Sequence, residues 1–314
     1  MPSPLPPISP ATRRLFLLSA AACLAACQSP PVAAPANSTT SALPGPSPLA
    51  LPKPPPRPPR LGLALGGGAA RGFAHIGVIQ VLEEAGVRPD LVVGTSAGSL
   101  VAALYAHGKT GAELANLALT MDEGAITDWA FPSRGVIRGD ALARYVREQT
   151  GGQSIEQLKM RLGVVATDLD SGSAVLFERG DLGMAVRASS SVPAVFQPVK
   201  INGREYVDGG LVSPVPVRFA RQMGAEMVIA VDISSPPDGA ATGDTMKLLL
   251  QTFAIMGKSI NQFELRDADI VLRPTLIGVS SADFTSRVRA IRAGREMALL
   301  LLPEIKAKLL TLAR

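Results

Sequence analysis

Residues 61–98 read LGLALGGGAARGFAHIGVIQVLEEAGVRPDLVVGTSAG, and this stretch decides the fold. An apolar run, Leu61–Leu65, meets a glycine-rich turn at 66–72, and a helical pattern follows from Ala74 to Ala85. Within it Ile76, Ile79, Val81, Leu82 and Ala85 can share one face, and Gly86 and Pro89 bring the helix to an end. A second strand candidate, Asp90–Val93, leads into a second glycine turn at 94–98 and a helix running to about His107. Two strand–turn–helix units in 47 residues predict an α/β domain.

The alternation continues downstream. Leu162–Thr167, Ala174–Phe177, Met227–Asp232 and Ile270–Arg273 read as further strands, and Thr245–Phe263 and Arg287–Leu312 as long helices. Nearly continuous apolar runs are expected of strands buried on both faces, so the sheet should be largely parallel with helices on both sides. The last helix carries an apolar patch, Met297–Leu302, interrupted by Pro303, and is too short in apolar length to span a bilayer.

Upstream the composition changes. Seventeen of the 27 prolines fall within the first 60 residues, which hold five basic residues and no acidic one. Residues 61–314 carry 26 basic and 26 acidic side chains, so the pI near 9.5 belongs to the N-terminal segment. A net-neutral domain gives no support to nucleic-acid binding. Both cysteines, Cys23 and Cys27, lie in the first 30 residues, which excludes an internal disulfide, a thiolate metal site and a cysteine nucleophile from the domain.

Residues 12–27 place Arg13 and Arg14 ahead of about a dozen apolar or small residues, the layout of a secretory signal. Leu24-Ala25-Ala26-Cys27 resembles the lipobox of bacterial lipoproteins, which implies a signal peptide over 1–26 and lipidation, of palmitate type, at Cys27. Thr12–Leu17 also resembles a twin-arginine export signal. Gln28–Arg60, rich in Pro, Ala and Ser, has no apolar periodicity and is expected to be a tether. At ~3.1 Å per residue it reaches at most about 100 Å. The expected organisation is therefore signal (1–26), lipidated tether (27–60) and catalytic domain (61–314).

Two glycine turns carry the chemistry. In Gly94-Thr95-Ser96-Ala97-Gly98 a serine sits between strand and helix, with glycines two residues either side that permit close packing. In Gly66-Gly67-Gly68-Ala69-Ala70-Arg71-Gly72, backbone amides at a helix start can surround an anion. A dinucleotide fingerprint fails at Arg71 or Ala69, and a phosphate loop of the Walker type fails at Phe73. An oxyanion hole needs only the amides. The base is less obvious, because His75 and His107 are the only histidines and none follows residue 107, where a hydrolase triad has its histidine after both the serine and the acid. His107 is eleven residues along the helix from Ser96, about 16 Å at 1.5 Å per residue. A carboxylate is the next choice, and Asp208-Gly209-Gly210 offers one; by spacing alone an ordinary β-turn aspartate is the simpler reading. Asp168-x-Asp170 lacks the glycine and glutamate of a calcium loop, with Ser173 and Arg179 in their places. Arg71 suits either support of the glycine loop or contact with a phosphate, or else a solvated helix start.

Taken in order, Gly-x-Gly-x-x-Arg-Gly at 66–72, Gly-x-Ser-x-Gly at 94–98 and Asp-Gly-Gly at 208–210 resemble the bacterial patatin-like phospholipases. Phe73–Val78, Ala166–Gly172 and Ala188–Phe196 are similar to that family too. The resemblance implies the family's three-layer α/β fold and a Ser–Asp dyad without histidine: Ser96 as nucleophile, Asp208 as base, and Gly66, Gly67 and Gly68 as oxyanion hole. Arg71, Gly72, Gly94, Gly98, Gly209 and Gly210 support the motifs. Ala69 stands where many members have a fourth glycine. No metal or organic cofactor is implied. The expected partner is a lipid ester, cleaved as a phospholipase or lysophospholipase would cleave it, with a lipid anchor holding the protein to the bacterial cell envelope. The alternative is a catalytically silent, membrane-anchored lipid-binding protein on the same fold.

Overall fold

The computed structural model describes residues 57–122, 124, 126, 128, 135–234, 245–280 and 283–313. The signal, the lipobox with Cys27 and the tether up to residue 56 lie outside the described residues. The described residues hold ten strands: β1 (Leu61–Leu65), β2 (Leu91–Thr95), β3 (Gly135–Ile137), β4 (Arg161–Asp168), β5 (Ala174–Phe177), β6 (Ala194–Phe196), β7 (Val199–Ile201), β8 (Arg204–Asp208), β9 (Met227–Val231) and β10 (Ile270–Leu272). The α-helices are α1 (Phe73–Glu84), α2 (Ala97–His107), α3 (Gly111–Thr120), α4 (Asp140–Gln149), α5 (Leu182–Ser189), α6 (Val217–Gln222), α7 (Thr245–Glu264) and α8 (Arg287–Thr311). Arg57 clasps Glu226 with two 2.8 Å bonds just ahead of β1.

Eight strands form one mixed sheet in the order β10-β9-β1-β2-β4-β8-β7, with β5 also on β4. From β10 to β4 the pairing is parallel. Beyond β4 it turns antiparallel through β5, β8 and β7. β3 and β6 make a separate parallel pair.

Alternate strand residues feed two cores. Leu61, Leu63, Leu65, Val92, Leu162, Ile229 and Val231 pack with α1, α2 and α8 on one face. Ala64, Val93, Val165, Val228 and Ala230 pack with Phe219, Ala220 and Met223 around α6 on the other. Burial on both faces is why these strands read as unbroken apolar runs. The layered α/β fold expected from the sequence, with helices on both faces of the sheet, is the fold observed. α8 runs through Pro303 without ending, and none of the described helices is long and apolar enough to cross a membrane.

Candidate active site

β2 and β8 lie on the same edge of β4 and run towards each other. Thr95 pairs with Val165, and Asp208 pairs with Ala166, the next residue along. β5 fills the opposite edge, with Leu176 on Val165 and Val175 on Ala166. Two strands meeting head-on must both leave the sheet at the point of collision. β2 leaves at Ser96 and β8 at Gly209. A Cβ on Gly209 would lie 2.2 Å from the Val165 carbonyl oxygen, so only glycine lets the chain leave β8 so close against β4. The sheet register thereby brings Ser96 and Asp208 together, although 112 residues separate them in sequence.

The turn at Ser96 is strained. Its φ of 53° and ψ of −126° lie where non-glycine residues are rare, a cost of order 1–3 kcal/mol that surrounding structure must hold. Several contacts hold it. The Ser96 amide donates to Ser189 Oγ at 2.9 Å, and Ser189 Oγ donates to the Val165 carbonyl at 2.5 Å. Ser99 Oγ donates to the Ser96 carbonyl at 2.6 Å, and Thr95 Oγ1 to the Ser213 carbonyl at 2.8 Å. The flanking glycines stand where the backbone comes close: a Cβ on Gly98 would meet the Leu65 carbonyl oxygen at 2.1 Å, and one on Gly94 the Gly98 oxygen at 2.4 Å.

Asp208 is equally fixed. Its amide donates to the Ser191 carbonyl at 2.9 Å, and its Oδ1 accepts from the Gly210 amide at 2.6 Å. Oδ2 is buried and has no hydrogen-bond partner among the described residues. Burial pushes the carboxyl up to about 6 from 3.8, against the opposing pull of the Ser96 hydroxyl and the Gly210 amide. Ser96 and Asp208 are thus neighbours without a closed hydrogen bond through Oδ2, and the acid is tuned towards neutral pH.

The glycine loop borders the same cavity. Which amides are available there is something the motif alone does not reveal. Gly66 donates its amide to the Val231 carbonyl at 3.1 Å and Gly67 to Pro214 at 2.9 Å, so neither is open to an oxyanion in this geometry. The amides of Gly68 and Ala69 have no partner among the described residues, and both residues line the cavity with Ser96. Of the loop's amides, those of Gly68 and Ala69 are therefore the ones that face the cavity without a partner among the described residues. Ala69 itself sits at φ 49°, the conformation for which glycine is suited.

His75 is fully buried, and its Nε2–H donates to the Gly66 carbonyl at 2.8 Å. Burial pushes it down to about 4, so the ring is neutral and braces the glycine loop. His107 Nδ1 lies 2.8 Å from Gln153 Oε1. Neither histidine lines the cavity. Arg71 is buried and donates through Nη2 to the Ser234 carbonyl at 3.0 Å, which makes it a loop support rather than a solvated helix start. Gly72 packs against Ala97. Asp168 is held by Ser171 and an ion pair with Arg204 at the end of β4, outside the cavity lining. No group of three or more His, Cys, Asp or Glu side chains suited to a metal occurs among the described residues.

The cavity encloses about 220 Å³. Gly67, Gly68, Ser96 and Asp208 form its floor, and Val192, Pro193, Leu211, Leu250, Phe253 and Ala254 much of its apolar wall. One buried residue beside the site escaped the sequence reading altogether. Glu264, buried at the end of α7, accepts from Ser213 Oγ at 2.7–2.8 Å and pairs with Arg218 at 3.0 Å. Ser213 and its neighbour Pro214 are the residues that accept from Thr95 and Gly67. Ser189 and Ser191 were visible only as part of a motif; their roles follow from the register.

The patatin-like phospholipase family profile matches residues 63–221. The chain belongs to that family. An uncharacterized NTE family protein of Mycobacterium tuberculosis is 39% identical over 186 residues, 58% of this chain and 51% of that one. Patatin-like phospholipase domain-containing protein 6 of Homo sapiens is 35% identical over 196 residues, 59% of this chain but 14% of that protein. The chain thus covers about half the length of the mycobacterial relative and far less of the human one. Among solved structures, VipD from Legionella pneumophila superposes with a TM-score of 0.55 at 16% identity, covering 79% of this chain and 68% of that one. That similarity concerns the fold.

Proposed function

We propose that this protein is a serine acyl hydrolase that cleaves carboxylic ester bonds of lipids, of the phospholipase or lysophospholipase type. The observation that carries the reading is a strained serine beside a buried carboxylate in an apolar cavity where, among the described residues, Asp208 Oδ2 and the Gly68 and Ala69 amides have no partner. Ser96 Oγ attacks the ester carbonyl while Asp208 Oδ2 takes its proton. The carbonyl oxygen, now an anion, is received by the Gly68 and Ala69 amides, each contributing about 2.7–4 kcal/mol by comparison with other oxyanion holes. The alcohol leaves with the proton from Asp208. Water, deprotonated by the same carboxylate, then frees the acid from Ser96. The apolar wall suits an acyl chain, and the family's name supports a phospholipid substrate. The proposal extends to an export signal over 1–26 and a lipid on Cys27 that holds the domain to the cell envelope through the 27–60 tether.

Hydrolysis of a panel of phospholipids, lysophospholipids and neutral esters tests the reading. Wild type should cleave one class with Ser96→Ala and Asp208→Asn each reduced by at least ~10³-fold. His75→Gln and His107→Gln should retain much of the rate. Specific lipid binding by a wild type inert towards the whole panel would favour the silent lipid-binding alternative.

A further inference from the structure

α7 is apolar on two opposite sides. Its inner side supplies Leu250, Phe253, Ala254 and Gly257 to the cavity over Ser96, and Asn261 and Glu264 are buried beneath it. At about 100° per residue, Leu248, Thr252, Ile255, Met256, Ser259 and Phe263 fall on the opposite side. The four large apolar members of that stripe are 55%, 51%, 42% and 64% exposed. Its two hydroxyls are turned back on the helix, Thr252 Oγ1 donating to the Leu248 carbonyl and Ser259 Oγ to that of Ile255. A soluble helix normally offers water a charged face, and this one does not.

Among the described residues, the charged side chains beside the stripe are basic. Between Thr245 and Phe263 the helix carries Lys247 and Lys258 and no acidic side chain. Both lysines fall on one flank of the stripe, and Arg266 lies over the Phe263 ring at 5.0 Å. The first exposed acid beyond is Asp267, after the helix has ended. An apolar strip bordered by cations, with no anion within it, is complementary to a bilayer bearing anionic headgroups.

We infer that the outer face of α7 docks the domain on an anionic lipid surface, so that one helix touches the bilayer with one side and walls the catalytic cavity with the other. This rests on the lipid-ester reading for its purpose but not for its test. The full chain carrying Cys27→Ser, which removes any lipid anchor, is sedimented with vesicles of phosphatidylcholine alone and of equimolar phosphatidylcholine and phosphatidylglycerol. The same is done in a Ser96→Ala background, where nothing is hydrolysed. Binding should favour the anionic vesicles. Ile255→Glu with Phe263→Glu should weaken it by at least ~10-fold, and Lys258→Glu should erase the preference for anionic vesicles. Thermal melting and hydrolysis of a dispersed short-chain ester, within about 2-fold of the parent, certify that these variants are folded. Equal vesicle binding by the double variant, or none by the parent, overturns the inference. So does a parent that is dimeric by light scattering and becomes monomeric in the double variant, since the face would then join two copies of the chain. If every protein lacks ester hydrolysis yet vesicle binding follows the expected pattern, the hydrolase reading falls and the docking surface stands.

Discussion

Ser96 and Asp208 are each placed at an energetic cost, and the cost of Asp208 has a sign that can be measured. Its folded pKa, about 6, lies above the unfolded 3.8. The associated stability is complete below pH 3.8 and is lost as pH rises through 6, leaving the ionised carboxylate about 3 kcal/mol worse off in the fold at pH 8. Asp208→Asn should therefore be inactive yet more stable than wild type at pH 8, by about 1–3 kcal/mol in urea unfolding, with the gain vanishing near pH 4. Catalysis should show the complementary limb, kcat/KM rising through about pH 6 as the base ionises. Ala69 allows a second test at this scale. At φ 49° an alanine costs roughly 1 kcal/mol more than glycine, so Ala69→Gly should raise the unfolding free energy by about that much and leave activity intact. The motif disclosed both residues, but not which loop amides were free. Gly66 and Gly67 donate to Val231 and Pro214, partners over 140 residues away, and no local pattern reports such a pairing.

Among the elements, those with a regular apolar pattern were the legible ones. β1 and β5 begin and end where the apolar runs at 61–65 and 174–177 do, and α7 and α8 match their patterns to within a residue. β8 was hidden. Arg204–Asp208 is short and begins polar, so Asp208 read as part of a turn rather than as the end of a strand colliding with β2. Glu264 was hidden for another reason: a glutamate at the end of an amphipathic helix is usually solvated, and only tertiary packing buries this one. Burial pushes it up to about 7 from 4.5 while Ser213 and Arg218 hold it in place. It ties α7 to the loop after Asp208. Glu264→Ala should cost about 2–3 kcal/mol by leaving Ser213 and Arg218 without their acceptor. Glu264→Gln should cost less, since its amide oxygen still accepts from Ser213, and thermal melts of the two variants check the order.

Across the whole molecule, one piece of topology accounts for the site. A parallel half sheet from β10 to β4 supplies the serine turn and the glycine loop, and the antiparallel half beyond β4 returns the aspartate to meet them. The proposed serine–aspartate pair would act without a histidine, and the chain's two histidines serve as a loop brace and a helix-end contact. The sequence displayed the parts in order but not the edge of β4 on which they converge. The most direct test of that convergence is covalent. Wild type, Asp208→Asn and Ser96→Ala are exposed to an alkyl fluorophosphonate, and the adduct is located by peptide mass spectrometry as a function of time. The dyad predicts one modified residue, Ser96, labelled rapidly in wild type, at least ~10²-fold more slowly in Asp208→Asn and not at all in Ser96→Ala. An adduct on another residue, or Ser96 labelled as fast without Asp208 as with it, would contradict the account.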